Sequence, residues 1–186
     1  MKKMSTARID LVAQTLPLVD AELQSNARLG LLLGARVPDG WPPGEYDRNA
    51  ILQFQICLAE HPESAGWYGW YAVLREGVGE GRTLIGAAGF LGPPAADGTV
   101  EIGYSVLSEF EGRGVATEIV QALIEHAFAS GRVRRITAHT TEANSGSVRV
   151  LEKAGFGRSG AMMEGGVVEF VLDGPQRPAP PESVRR

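Results

Sequence analysis

Cysteine is almost absent from this chain: Cys57 stands alone in 186 residues. A disulfide framework and a cysteine-rich zinc site are both excluded, and no metal is expected. No uncharged apolar run approaches the ~18 residues of a membrane span, so no membrane association is expected. The N-terminus, MKKMSTARIDL, has no apolar segment behind its lysines, which argues against a secretory signal. Internal repeats are missing too. These absences predict a cytoplasmic protein. Basic residues are scarce in the first part, with 5 Lys/Arg against 13 Asp/Glu over residues 9–110. Such a surface repels nucleic acid and attracts cations. Residues 111–158 reverse the balance, with 7 basic against 5 acidic, and would tolerate a phosphorylated ligand. For any single charge, a solvated surface is the simpler reading.

What is present is a core. At 44% hydrophobic residues, the length suits one compact domain, placed at residues 1–173. The remainder, 174–186, is GPQRPAPPESVRR, with four prolines and one large apolar residue, and is expected to be disordered. ARIDLVA predicts a short strand. Residues 17–34 carry helical spacing through Leu18, Leu23, Leu29, Leu32 and Leu33. The Pro/Gly-rich VPDGWPPGE breaks that pattern. Residues 46–60 are helical again, with Ile51, Phe54, Cys57 and Leu58 on one side. WYGWYAVLRE, TLIGAAGFLG and TVEIGYSVL predict three consecutive antiparallel strands, the first two joined by a GVGEG turn. A helix follows from Val115 to Gly131, then the strand RRITAHT. NSGSVRVLEKAGF predicts a short helix ending at Gly155. GRSGAMM and VVEFVL form a final pair joined by Glu-Gly-Gly.

The run EFEGRGVATEIVQALIEHAF, residues 109–128, carries the chemistry. A strand feeds a turn with Gly112 and Gly114, which opens directly into an amphipathic helix. Glycine lets backbone approach a ligand with no Cβ in the way. The first helical N–H groups lack intrahelical partners and sit at the positive end of the helix dipole. The arrangement suits a pyrophosphate. A P-loop would need Gly-Lys-Ser/Thr, which is missing. A dinucleotide fingerprint would need G-x-G-x-x-G inside a parallel unit, and here antiparallel strands come first.

EGRGVA resembles the Q/R-x-x-G-x-G/A motif of the GCN5-related N-acetyltransferase (GNAT) superfamily. TVEIGYSV resembles that family's central strand. NSGSVRVLEKAGF is similar to the N-x-x-S-x-R-x-L-E-K-x-G-F of its ribosomal-protein-alanine acetyltransferase branch. The likeness is specific from about residue 82 to 158. Two departures stand out: Glu111 occupies the usual Gln/Arg position, and Leu151 replaces the tyrosine that many members use as general acid. Arg113 could supply the charge that Glu111 does not.

The resemblance implies an α/β (α+β) fold: a mixed, mostly antiparallel central sheet with a splayed central strand and flanking helices. It implies acetyl transfer from acetyl-CoA to a primary amine, a small amine or a protein N-terminus, directly in a ternary complex. Backbone of Gly112, Arg113, Gly114, Val115 and Ala116, with Thr117, would cradle the pyrophosphate. Val106 and Leu107 would pair with the pantetheine arm, and Asn144 and Ser147 would face it. Arg149 and Lys153 share a helix face, meeting either the adenosine phosphates or solvent. An alkyl ammonium with pKa ~10 must lose a proton before attack. Glu101 is the candidate base or cation-binding group, with His139 as the alternative base. Ser147 is the hydroxyl available to the leaving thiolate. Tyr104, one residue out of register with Glu101, belongs on the opposite strand face. The acceptor pocket is expected around Trp41 and the WYGWY strand, with Trp70 as a second candidate. A homodimer is expected from the same branch. The competing class is a catalytically silent acyl-CoA-binding sensor or interaction domain.

Overall fold

The computed structural model describes residues 2–75 and 81–175. The expected GVGEG turn at 77–81 falls almost wholly outside these residues, as does the tail from 176 onward. Among these residues, eight strands form a single mixed sheet and five α-helices flank its two faces. The strands are β1 (Lys3–Ser5), β2 (Ile9–Ala13), β3 (Gly69–Leu74), β4 (Thr83–Phe90), β5 (Thr99–Val106), β6 (Arg135–Thr141), β7 (Gly157–Met163) and β8 (Val167–Asp173). The helices are α1 (Leu16–Gln24), α2 (Asn26–Leu33), α3 (Arg48–Glu60), α4 (Val115–Ala129) and α5 (Ser145–Lys153).

The strand order is β1-β2-β3-β4-β5-β6-β8-β7. β3, β4 and β5 form the expected antiparallel meander. Among the described strands, only β5 and β6 pair in parallel, with α4 crossing between them; a single parallel bridge also joins Arg36 to Thr83 of β4. The helical spacing over 17–34 resolves into two helices rather than one. Ser25 between them is extended, and its side chain accepts from Arg28 N to cap α2. Asp47 caps α3 in the same way, accepting from Asn49 N and Ala50 N at 2.8 and 3.0 Å. β1 has only three residues, mostly polar, too short for alternation to reveal it.

Register fixes which side chains share a face. Trp70, Ala88 and Tyr104 stand directly opposite one another, as do Tyr71, Ala87 and Ser105. The first set faces α4, where the Trp70 ring meets His126 edge-on at 5.2 Å. The second faces α1, where Tyr71 reaches Glu22. The core lies between the sheet and these helices and includes Leu11, Ile85, Phe90, Ile119, Leu123, Ile136 and Phe170. Each such side chain contributes about 1.5–3 kcal/mol by leaving water. One charged group is buried at the sheet's first edge. Asp10 on β2 is held by Lys3, Arg75 and Arg82 at 2.8–3.0 Å and by Ser5 at 2.9 Å. Burial alone would raise its pKa, but these hydrogen bonds prevail and keep the carboxylate below its usual range.

The sheet opens at its centre. β5 pairs with β4 from Ile102 to Val106, but with β6 only from Thr99 to Ile102. Beyond Ala138, β6 continues with β8 as far as Thr141. Residues 103–106 therefore leave β6 and create a splay, as the resemblance implied. At the C-terminal end, Gly174 still belongs to the folded part: its N–H donates to Arg134 O at 2.7 Å.

Candidate active site

The glycine turn is built as its sequence suggests. After β5, a single 3-10 turn at Ser108–Phe110 leads to Gly112 and Gly114, at φ 70° and 75°. These are left-handed conformations that β-carbons disfavour, so glycine is required. Gly114 caps α4 with no side chain, leaving the first-turn N–H groups of Val115, Ala116 and Thr117 to an outside acceptor. A Cβ at Gly112 would meet nothing within 4 Å, and one at Gly114 only Arg8 at 3.9 Å. The space over the turn is open to a ligand.

Arg8, between β1 and β2, was not singled out in the sequence. Its guanidinium donates to the carbonyl of Arg113 at 3.2 Å and pairs with Glu118 at 2.7 Å. Glu118 lies in the first turn of α4, where its charge would oppose an anion. Burial would raise its pKa, but bonds from Thr6 and Arg8 prevail and lower it, so the carboxylate is ionised and neutralised in place. No local signal in the sequence links positions 8 and 118; only the fold brings them together.

A cavity of about 820 Å³ runs from this turn into the splay. Gly112, Gly114, Val115, Ala116, Thr117 and Val106 line it on one side, and Asn144, Ser147, Arg149 and Lys153 on the other. Leu107 also lines it, with both of its backbone groups already bonded within the chain. Its N–H donates to Ile85 O at 2.9 Å, and its carbonyl accepts from Phe110 N at 2.8 Å. The Arg113 side chain does not bring the expected charge to the cavity. Its guanidinium stacks over the Phe110 ring at 5.5 Å and does not line the cavity. The positive charge there comes from Arg149 and Lys153 on α5, opposite Glu111. Asn144 spends its side-chain oxygen capping α5, accepting from Ser147 N at 3.0 Å.

A second cavity of about 370 Å³ opens from the same splay. Glu45, Ile102, Gly103, Tyr104, Ser105 and His139 line both cavities, so the two meet at the point where β5 leaves β6. Glu101 lines the second. The two candidate bases prove to be partners: His139 Nδ1 lies 2.8 Å from Glu101 Oε1. On its other side, His139 Nε2 lies 3.8 Å from Glu169 of β8. The β5–β6 and β6–β8 registers make this trio, and neither is legible from one strand alone. Tyr104 points to the opposite face, as strand parity predicts. There its hydroxyl is 2.8 Å from Ser147 Oγ. Burial raises the Tyr104 pKa more than this hydrogen bond lowers it, so the phenol keeps its proton at neutral pH. Leu151, at the usual tyrosine position, is fully buried.

The two tryptophans expected at the acceptor pocket line neither cavity. Trp41 is buried, and its indole N–H donates to Glu22 Oε1 at 2.7 Å. Trp70 is buried beneath α4 and donates to Gly66 O at 3.2 Å. Trp41 is held in a loop by a polar anchor that periodicity could not reveal. Glu22 also accepts from Tyr46 and Tyr71 at 2.9 and 2.5 Å, making a buried carboxylate with three donors. Its pKa is raised because burial outweighs those donors. The loop after Trp41 returns to the site at Gly44, where a Cβ would come within 2.5 Å of Ser105 Oγ. Cys57 lies on α3 and lines neither cavity.

Comparison with known proteins agrees with this geometry. Residues 25–157 match the family model described as Acetyltransferase (GNAT) domain. The chain is 31% identical over 156 residues to the uncharacterized N-acetyltransferase YjdG of Bacillus subtilis, covering 84% of this chain and 90% of that protein. It is 32% identical over 136 residues to the ribosomal-protein-serine acetyltransferase of Escherichia coli, covering 72% and 69%. Among solved structures, RimL, a ribosomal L7/L12 alpha-N-protein acetyltransferase in complex with coenzyme A, superposes with TM-score 0.65 at 16% identity, covering 92% and 98%. An acetyltransferase of the GNAT family from Bacillus anthracis does so with TM-score 0.60 at 20% identity, covering 92% and 98%. A glycine turn opening a helix at a splayed sheet, matched over most of its length by such relatives, makes this chain an acetyltransferase of the GNAT family.

Proposed function

We propose that this protein transfers an acetyl group from acetyl-CoA to the nitrogen of a primary amine, with both bound at once. The observation that carries the reading is the meeting of the two cavities at Ile102–Ser105, with a carboxylate–histidine pair on one side and a hydroxyl pair on the other. The open cradle over Gly112 and Gly114 fits a pyrophosphate held by first-turn amides of α4, with Arg149 and Lys153 as counter-charges. Bound there, acetyl-CoA supplies an activated thioester carbonyl. Glu101 takes one proton from the ammonium, and His139 at 2.8 Å gives that proton a second site on its way to solvent. Ser147 Oγ, backed by the Tyr104 hydroxyl, gives a proton to the departing sulfur as the C–S bond breaks and the C–N bond forms. The second proton on nitrogen restores Ser147, so one proton is released per turnover.

Free thiol release, measured while acetyl-CoA and amine are varied together, tests this reading. Lines that intersect in double-reciprocal plots support direct transfer, and parallel lines indicate a covalent enzyme intermediate. CoA binding with no thiol release for any amine supports the silent sensor.

A further inference from the structure

We infer that the acceptor is an amine with a single cationic head and an apolar body, rather than a polyamine, an amino sugar or a peptide N-terminus. This rests on the acetyltransferase reading above and names the substrate class of the same site. The second cavity divides by chemistry along its length. At the splay end stand Glu101 and Glu45; among the described residues no other carboxylate lines it, and neither Lys nor Arg does. That end takes one ammonium. Away from the splay the wall is Ala50, Phe54, Ala87, Ala88, Leu91 and the ring of Tyr46.

Tyr46 contributes only its ring, because its hydroxyl is committed elsewhere. It donates to Glu22 at 2.9 Å and accepts from Gln14 at 2.6 Å, both in the buried core. Phe54 is fixed in turn: its ring lies 6.4 Å from that of Tyr46 and 6.2 Å from that of Tyr68. The aromatic wall is therefore formed before any ligand arrives, which limits the ordering cost of binding. Leu91 is 58% exposed at this rim, with its Cδ1 3.8 Å from where a Cβ on Gly103 would be. An apolar body would cover it.

The same wall argues against the other acceptors. A second ammonium or a row of hydroxyls would be desolvated against Phe54, Tyr46 and Leu91 with no partner, the ammonium at the greater cost. A peptide binding by backbone needs a free strand edge. The free edge of β5 at residues 103–106 lies at the splay itself; along the apolar wall, β4 is paired on both sides, to β3 and to β5, and offers none.

Rates of thiol release from acetyl-CoA by the full chain would be compared for 2-phenylethylamine, hexylamine, spermidine, glucosamine and a hexapeptide with a free N-terminus. The two apolar monoamines are expected to exceed the others in kcat/KM by about tenfold or more. Phe54→Ala and the surface change Leu91→Ala should each raise KM for 2-phenylethylamine several-fold while KM for acetyl-CoA stays put. Preference for spermidine, glucosamine or the peptide overturns the inference and leaves the acetyltransferase reading intact, as does an unchanged KM in both variants. If no amine is turned over, the acetyltransferase reading falls. Calorimetry of 2-phenylethylamine on CoA-loaded protein then decides this one: binding that weakens in Phe54→Ala upholds it, and no binding overturns it.

Discussion

Glu101 and Glu22 are two carboxylates whose surroundings give them different work. Glu101 is partly exposed, lines the second cavity and lies 2.8 Å from His139 Nδ1. In the proposed reaction, Glu101→Gln removes the proton acceptor but keeps the shape. It should lower kcat about 10²–10⁴-fold at neutral pH, with CoA affinity by calorimetry unchanged; an unaltered kcat would place the base elsewhere. Glu22 is buried and holds Trp41, Tyr46 and Tyr71. Its raised pKa means the folded protein binds this proton more tightly than the unfolded chain does. The associated stability is fully present below the unfolded pKa of about 4.3 and is lost as pH rises through the folded value. Melting temperatures taken across that range should therefore fall for the wild type relative to Glu22→Gln. Parallel curves would show that Glu22 is not ionising in the folded state.

At the level of elements, the glycine turn and α4 act as one part. Replacing Gly114 by Val puts a β-branched residue at φ 75° and a side chain into the open cradle. CoA binding measured by calorimetry should be abolished; binding at wild-type strength would disprove the cradle. A circular-dichroism melt separates this loss from unfolding. This element was legible in the sequence because its signal is local: two glycines, a polar turn, then apolar spacing at Val115, Ile119 and Leu123. The α5 segment and the β3–β5 meander were legible for the same reason. Parity alone places Tyr104 on the correct face, but nothing local pairs it with Ser147. What failed was whatever depends on distant chain. Glu101 and His139 looked like rival bases because their 2.8 Å contact exists only through the parallel β5–β6 register. Trp41 looked like a pocket residue because a loop has no periodicity to expose its bond to Glu22. Arg113 looked like the phosphate cation, but Phe110 lies close enough to hold it aside. The apolar wall of the second cavity is invisible in the sequence, since Tyr46, Phe54 and Leu91 come from separate segments.

For the whole molecule, the sheet parts at its centre, between β5 and β6, beside the two cavities. Its first five strands and its last three are joined by the short parallel register of Thr99–Ile102 with Arg135–Ala138, with α4 as the crossover. Past that register, backbone groups that elsewhere would close the sheet face an open cleft. The molecule is thus two plates sharing a short weld, and a ligand lying in the cleft acts as a rivet beyond its end. Bound CoA should then do more than raise the melting temperature by RT ln(1 + [L]/Kd). Amide hydrogen exchange should slow most at residues 103–106 and 139–141, and little in β2 or β3, whose neighbours are already complete; uniform protection would mean the two plates move as one without it.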